Sequence, residues 1–246
     1  MSNSCNIYII SDLHLSISVD KPMDIFGEGW TDYMSRLKEE WSAVVKTEDI
    51  VIIPGDISWG MTLSEALADL QFLNELPGKK ILMKGNHDYW WTSLLKLNNM
   101  KAEHGLDTLE FMQTSSLYIE ECDTAVVGTR GWKYIGDEEF SDGDLKIYKR
   151  ELIRFEMSIK DSQKHGASNI ICIFHYPPFN AKTEASGFTE LMKKYGIEKC
   201  FFGHLHGIKG GKFLCAEDIT PYAVTDGIDC RLISADYVSF KPVKIL

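Results

Sequence analysis

Metal-ligand residue types recur in this chain in five short clusters: Asp12-Leu13-His14, Gly55-Asp56, Gly85-Asn86-His87-Asp88, Phe174-His175 and Gly203-His204-Leu205-His206. Carboxylate, imidazole and carboxamide donors together suit borderline-to-hard divalent ions such as manganese, iron or zinc. The set is larger than a single tetrahedral ion needs. Two ions about 3.5–4 Å apart that share a carboxylate would use all of it. Taken singly, a histidine after a strand is more often structural than ligating, and Asn or Gly there is ordinary turn chemistry. The weight comes from the series, since His14, His87, His175, His204 and His206 all fall in these clusters. His104 and His165 lie in polar segments outside the pattern and read as surface residues.

What must position these groups is written just before them. Each cluster follows an apolar, largely β-branched run: Ile7 to Ile10, Ile50 to Ile53, Lys80 to Met83, Ile170 to Ile173 and Cys200 to Phe202. Runs of this length closed by Gly, Pro or a polar cluster predict buried strands. Ligands at the carboxyl ends of such strands converge on one edge of an α/β sheet. In extended backbone, residues two apart point the same way. Asp12 and His14 are therefore expected to aim at one ion, and His204 and His206 to bracket a pair.

Between the strands the spacing predicts helices. One begins at Thr31 or Asp32 as N-cap, with Tyr33, Met34, Leu37, Trp41, Val44 and Val45 on its apolar face. A second begins at Thr62, where Thr62-Leu63-Ser64-Glu65 resembles a capping box, and stops at Pro77-Gly78. A third is expected from Trp91 to about Met100, and a long charged one from Asp144 to Lys164. A β pair, Ser116–Glu121 with Thr124–Val127, turns at Cys122-Asp123. The tail reads as entirely β, with strands at Gly211–Ala216, Tyr222–Val224, Cys230–Ile233 and Tyr237–Val243. Alternating strands and helices followed by a β-rich tail fit two packed sheets flanked by helices.

Composition narrows the function classes. The chain has 246 residues and is 44% hydrophobic, which suits one well-buried domain over residues 1–246. No stretch approaches the roughly 20 apolar residues of a membrane span, so no membrane partner is expected. The first motif strand begins so near the N-terminus that no leader is expected ahead of it. The six cysteines, Cys5, Cys122, Cys172, Cys200, Cys215 and Cys230, form no C-x-x-C pair. They read as buried free thiols of a reducing, cytoplasmic compartment. A net charge of −10 without a basic stripe argues against long nucleic acid. It leaves room for a small phosphorylated substrate, because two divalent ions would dominate the local field.

The five clusters, in this order, resemble the signature D-x-H, G-D, G-N-H-[DE], H, G-H-x-H of the calcineurin-like metallophosphoesterases, from residue 12 to residue 206. The resemblance implies an α/β four-layer α/β/β/α sandwich of two mixed sheets flanked by helices. It also implies two divalent ions, manganese first, with iron or zinc as alternatives. One ion would take Asp12, His14, Asp56 and His206, and the other Asp56, Asn86, His175 and His204. His87 would stay off the metals and act on the substrate. Two points locate the chain within the family. Gly55-Asp56-Ile57-Ser58-Trp59-Gly60 lacks the Asp-Arg-Gly that follows G-D in protein Ser/Thr phosphatases. His175-Tyr176-Pro177-Pro178 resembles the H-x-P-P of bacterial phosphohydrolases and cyclic-nucleotide phosphodiesterase-like members.

The expected reaction is hydrolysis of a small phosphomonoester or phosphodiester. A water held between two ions ionises near neutral pH and attacks phosphorus in line with the leaving group. His87 would stabilise a phosphoryl oxygen or protonate the departing alkoxide, with Asp88 orienting it. Arg130, in a turn after a strand-like run, is a candidate to grip phosphate or an exposed structural Arg, and Trp59 and Trp91 are candidates to stack against the substrate. For the tryptophans, packing under the loops is the commoner role. Two other readings are a non-catalytic scaffold on the same fold, opposed by the presence of His87, and a nuclease, opposed by the acidic balance. The segment Ser16–Trp30, with Pro22, Gly27 and Gly29, is expected to be a non-helical loop at the rim, which either gates the cleft or is simply pinned to the surface by Phe26 and Trp30.

Overall fold

The computed structural model describes residues 6–246 apart from 135, 138 and 181. In chain order its elements are β1 (Ile7–Ile9), α1 (Tyr33–Val44), β2 (Ile50–Pro54), α2 (Leu63–Glu75), β3 (Lys79–Met83), α3 (Leu94–His104), β4 (Leu109–Met112) and β5 (Leu117–Ile119). Then follow β6 (Thr124–Thr129), α4 (Asp142–Ser162), β7 (Asn169–Phe174), α5 (Gly187–Lys194), β8 (Lys199–Phe202), β9 (Ala223–Thr225), β10 (Ile228–Leu232) and β11 (Val243–Lys244). Every apolar run that precedes a ligand cluster is a strand. They fall into two sheets, ordered β11-β1-β2-β3-β4 and β5-β6-β7-β8-β10-β9. Both are mixed: β11, β5 and β9 run antiparallel at the edges, and the remaining pairs are parallel.

Side-chain alternation along the second sheet makes the layers. Val126, Ile171, Ile173 and Phe201 join the core shared with the first sheet and with α1, α2 and α3. Their neighbours Val127, Cys172, Phe174, Cys200 and Phe202 face the other way, onto α4 and α5. The result is the four-layer α/β/β/α sandwich. Strands buried on both faces lose the polar alternation of half-exposed ones, which is why they are legible as continuous apolar runs.

Capping fixes where the helices begin. Thr62 accepts from the Glu65 amide at 3.3 Å while the Glu65 carboxylate accepts from the Thr62 amide, as expected. Ser141 and Asp144 close the same box on α4, which moves its start ahead of the expected Asp144. Such a cap contributes about 1 kcal/mol. Asp32 does stand at the N-cap of α1, but in a left-handed conformation and without a side-chain cap. The third helix begins at Leu94 rather than Trp91, because Ser93 caps it and Trp90-Trp91 form a turn closed by Asp88.

The tail departs most from expectation. Gly211–Ala216 is not a strand, since the Asp218 carboxylate draws in the amides of Leu214 and Cys215 and sets up a 3-10 turn. Tyr237–Val243 is mostly turns, with Ser239 and Phe240 left-handed and only Val243–Lys244 pairing with β1. Among the described residues no helix is long and apolar enough to cross a membrane. Cys172, Cys200 and Cys230 are buried and Cys122 and Cys215 half-buried, all as thiols. Cys5 lies outside the described residues.

Candidate metal centre

All five clusters meet at the carboxyl edge of the two sheets. Loop pairing continues past the strands: the Asp12 amide donates to Gly55 O and the His14 amide to Asp56 O, each at 3.0 Å. The two sheets are joined here as well. The Ser11 amide donates to Ile233 O and the Ala235 amide to Ser11 O. The glycines of the clusters permit this approach. A Cβ on Gly85 would collide with the backbone and carboxylate of Asp56, and one on Gly203 with Asp12 and Ser11.

Four of the seven ligands do not sit on extended backbone. Asp12, His14, Asp56 and His204 have φ of 59°, 48°, 53° and 69°. The expected alternation therefore holds in outcome but not in mechanism, since left-handed turns just past the strand ends aim these side chains inward. Such conformations cost about 1–3 kcal/mol each and persist where the surrounding structure over-determines them.

Two groups result, Asp12 with His14 and His206, and Asp56 with His175 and His204, the donor atoms of each lying within 4.8 Å of one another. Asn86 completes the second, its Oδ1 standing 2.6 Å from His175 Nε2 and 2.9 Å from His204 Nδ1. Asp56 connects the groups. Its Oδ1 accepts the His87 amide at 2.7 Å, while Oδ2 lies 3.8 Å from His14 Nε2 and 3.4 Å from His175 Nε2. In the first group His14 Nε2 and His206 Nε2 face each other at 3.1 Å. Two imidazole lone pairs so placed need a proton or a cation between them. A buried, donor-rich cluster of this composition fits two divalent ions.

Outer partners set the histidine tautomers. The His175 Nδ1–H donates to Pro54 O at 3.2 Å, and His206 Nδ1 lies 3.0 Å from the Asp236 carboxylate. Each bond leaves Nε2 aimed at the centre, the usual arrangement behind a metal-bound histidine. Asp12 is held from behind by the hydroxyls of Ser11 and Ser234 and accepts the His204 amide at 3.0 Å. Burial lowers the pKa of His14 and of His204 to about 3, so both rings are neutral. Burial also disfavours charge on His175, but the Asp56, Asp12 and Asp88 carboxylates lift it to about 9. Burial alone would raise Asp56, yet His175 and His14 hold it below the ordinary carboxylate range.

His87 belongs to neither group. Its half-buried ring packs on Trp59 at 4.5 Å and meets His14 at 5.7 Å. Trp59 packs against both, stacked on His14 at 4.9 Å, and its indole N–H points at Met23 Sδ, 3.1 Å away. The orienting role expected of Asp88 is not what the geometry gives. Both its oxygens are taken by the amides of Gly85, Asp56, Ile57 and Ser58 and by the Trp90 indole N–H. Asp88 thus ties the G-D loop to the G-N-H-D loop. Trp91 is buried against Trp90 and Phe111, away from His87. Arg130 lies over the Trp132 ring at 4.4 Å. Trp132 packs on Tyr176, which in turn lies 4.1 Å from the ring of His204.

In Ser16–Trp30 two 3-10 turns, Met23–Phe26 and Glu28–Trp30, replace the expected irregular loop. Its anchors are Met23 and Trp30, each 4% exposed, whereas Phe26 is 65% exposed and pins nothing. Trp30 meets His206 edge-on at 5.6 Å, and Lys21 Nζ stands 4.7 Å over Trp59. Asp236, Ser234 and Tyr176 were not anticipated as part of this centre. The one signal for Asp236 is that Ser234-Ala235-Asp236 closes the apolar run Cys230–Ile233 as the other polar clusters close theirs. His104 and His165 are exposed, the latter stacked on Tyr118.

A family model for calcineurin-like phosphoesterases matches residues 5–207. The chain belongs to that family. Among curated proteins it is similar to the gene 66 proteins of Mycobacterium phage D29 (40% identical over 84 residues) and phage L5 (34% over 83 residues). Each match involves 34% of this chain and 40% of the phage protein, so the chain spans well under half the length of these relatives. Among solved structures it resembles phosphopantetheinyl hydrolase (PptH) from Mycobacterium tuberculosis, with TM-score 0.52 and 14% identity over 100% of this chain and 97% of that one. It also resembles a protein of unknown function, AQ665, from Aquifex aeolicus, with TM-score 0.50 and 17% identity over 98% and 96% of the two chains. At such identities the likeness concerns the fold.

Proposed function

We propose that this protein is a two-metal phosphoesterase that hydrolyses a phosphomonoester or phosphodiester of a small molecule in the cytoplasm. The observation that carries the reading is Asp56, whose Oδ2 stands between the two ligand groups while a backbone amide fixes Oδ1. Asp12, His14, Asp56 and His206 would hold one ion, and Asp56, Asn86, His175 and His204 the other, with manganese the first candidate and iron or zinc next. When bound, two such ions supply an ionised water and the positive charge that holds phosphoryl oxygens.

The chain's own residues do the rest. His87 sits beside both groups without joining either. Burial lowers its pKa, leaving a neutral ring whose N–H can donate to a phosphoryl oxygen or to the leaving oxygen. Trp59 and the Asp56 bond to the His87 amide hold that ring in place, and Asp88 holds the two loops that carry Asp56 and His87. Beside His204, a cleft of about 330 Å³ walled by Tyr134, Tyr176, Phe179 and Tyr222 suits an organic leaving group. That volume lies at the small end of ligand sites, which favours a metabolite over a polymer.

The test is hydrolysis of p-nitrophenyl phosphate and bis-p-nitrophenyl phosphate with manganese, against a chelator-treated control. Metal-dependent turnover of either ester is expected. Failure on both with manganese, iron and zinc, while the protein still binds metal, would leave the scaffold reading in its place.

A further inference from the structure

On the side of the centre away from the Ser16–Trp30 segment lies a second cavity, of about 320 Å³, lined by Lys84, Arg130, Arg150 and Arg154 together with Glu151 and Trp91. Four cations around one carboxylate are unexpected in a chain of net charge −10. Glu151 is fully buried and already committed, accepting from Thr129 Oγ1 at 2.5 Å and Arg154 at 2.7 Å, with Arg150 Nε 3.6 Å away. Lys84 and Arg130 form no ion pair among the described residues. The Trp91 indole N–H is buried there and has no partner among the described residues either. Lys84, Arg130 and Arg154 are half-buried and Arg150 is exposed, and like charges partly withdrawn from water near one another are costly unless an anion joins them.

The register places this cavity against the metal centre. β6 and β7 pair Thr129 with Phe174, so Arg130 lies level with His175 on the neighbouring strand. β2 and β3 pair Pro54 with Met83, so Lys84 lies level with Gly55, one residue before Asp56. The Tyr176 amide donates to Arg130 O at 2.8 Å, tying the cavity rim to the His175 turn. One cation therefore stands on each sheet, a strand away from the ligands of the second group.

We propose that this cavity is an anion subsite, and that the substrate is a small phosphoester bearing a second phosphate-like group, which Lys84 and Arg130 receive while the first lies at the metals. The proposal rests on the phosphoesterase reading. No such group would be cleaved in the cavity, which holds no metal-ligand cluster among the described residues; its task is to bind and orient.

The experiment has two arms. In the first, kcat/KM with manganese is measured for propanediol to hexanediol bisphosphates and for the matching alkyl monophosphates. One bisphosphate should exceed its monophosphate by about 10–100-fold, the reach of one or two charge-assisted hydrogen bonds. Arg130→Gln and Lys84→Gln should each remove most of that preference, and should cost the bisphosphate at least tenfold more than they cost p-nitrophenyl phosphate. The two residues lie on different sheets, so a shared defect with an unchanged unfolding temperature is not misfolding. In the second arm, inorganic phosphate is titrated calorimetrically into chelator-treated protein. Binding that is weakened in both variants is expected. A preference absent at every chain length, equal losses for all esters, or phosphate binding unaffected by both substitutions overturns the subsite. If p-nitrophenyl phosphate and bis-p-nitrophenyl phosphate are both inert with every metal, the phosphoesterase reading fails, and the titration still decides the subsite.

Discussion

The two ligand groups share Asp56 yet are built differently. The second is sealed: His175 is fully buried, its Nδ1 bonded to the backbone of β2, and Asn86 Oδ1 sits within 2.9 Å of two imidazoles. The first is shallower at one corner. His206 is exposed, and its orientation depends on the Asp236 carboxylate and the edge of Trp30. A backbone carbonyl cannot leave its place, whereas a carboxylate on a turn can move or be protonated. The contrast predicts that one ion would be held wholly by buried and half-buried groups and the other partly by exposed His206, so loss and exchange of metal should begin at the His206 side.

The strongest way to break the comparison is to remove what both groups share. Asp56→Asn should abolish at least one ion and lower kcat/KM by about 10⁴-fold, several kcal/mol of lost charge stabilisation. Elemental analysis that finds two ions retained, with near-normal turnover, would remove Asp56 from between the groups. Next in size, His87→Ala should keep both ions and lower kcat by about 10²–10⁴-fold. The loss should be smaller for p-nitrophenyl phosphate than for an alkyl phosphate if the ring assists the leaving oxygen. Equal losses would assign it to the phosphoryl oxygens, and lost metal would place it among the ligands.

A finer cut separates the two groups. Asp236→Asn should weaken one ion by about 10–100-fold, the usual weight of a carboxylate behind a ligating histidine, and leave the other unchanged. Competition with a chelator read by metal fluorescence would reveal two unequal affinities. Two ions weakened alike would erase the distinction between the sealed site and the one with an exposed corner. Smallest should be the effect of shortening Ser18–Gly27 while keeping Trp30. A change of a few-fold in kcat/KM is expected, larger for a bulky phosphoester than for a compact one, if the segment screens the cleft. Parallel changes for both would reduce it to a support for Trp59 and His206.

Legibility in the sequence followed how local each feature is. The motif strands were readable because burial on both faces makes them continuous in Ile, Val, Leu and Phe. The α2 box was readable because Thr62 and Glu65 are only three positions apart. β4 and α5 were missed: Leu109–Met112 is short and flanked by polar residues, and α5 starts at a glycine after a Ser186–Thr189 box that lacks the usual Glu or Gln. The tail misled because Tyr237-Val238 looks like a strand, although left-handed Ser239 and Phe240 turn it back.

By itself the sequence determined the donor types, their order and their attachment to strand ends, since residue chemistry and a short apolar run are local properties. Only the tertiary structure decided which donors share an ion. That depends on strand order, β1-β2-β3 in one sheet and β7-β8-β10 in the other, and on how closely the sheets' edges approach. The same packing decided that Asp88 ties loops rather than orienting His87, and that Asp236, some thirty residues beyond the last motif, stands behind His206. It also gathered Lys84, Arg130 and Arg154, from three separate elements, around one cavity. No periodicity encodes such meetings, because they are set by side chains that come together only when two sheets pack face to face.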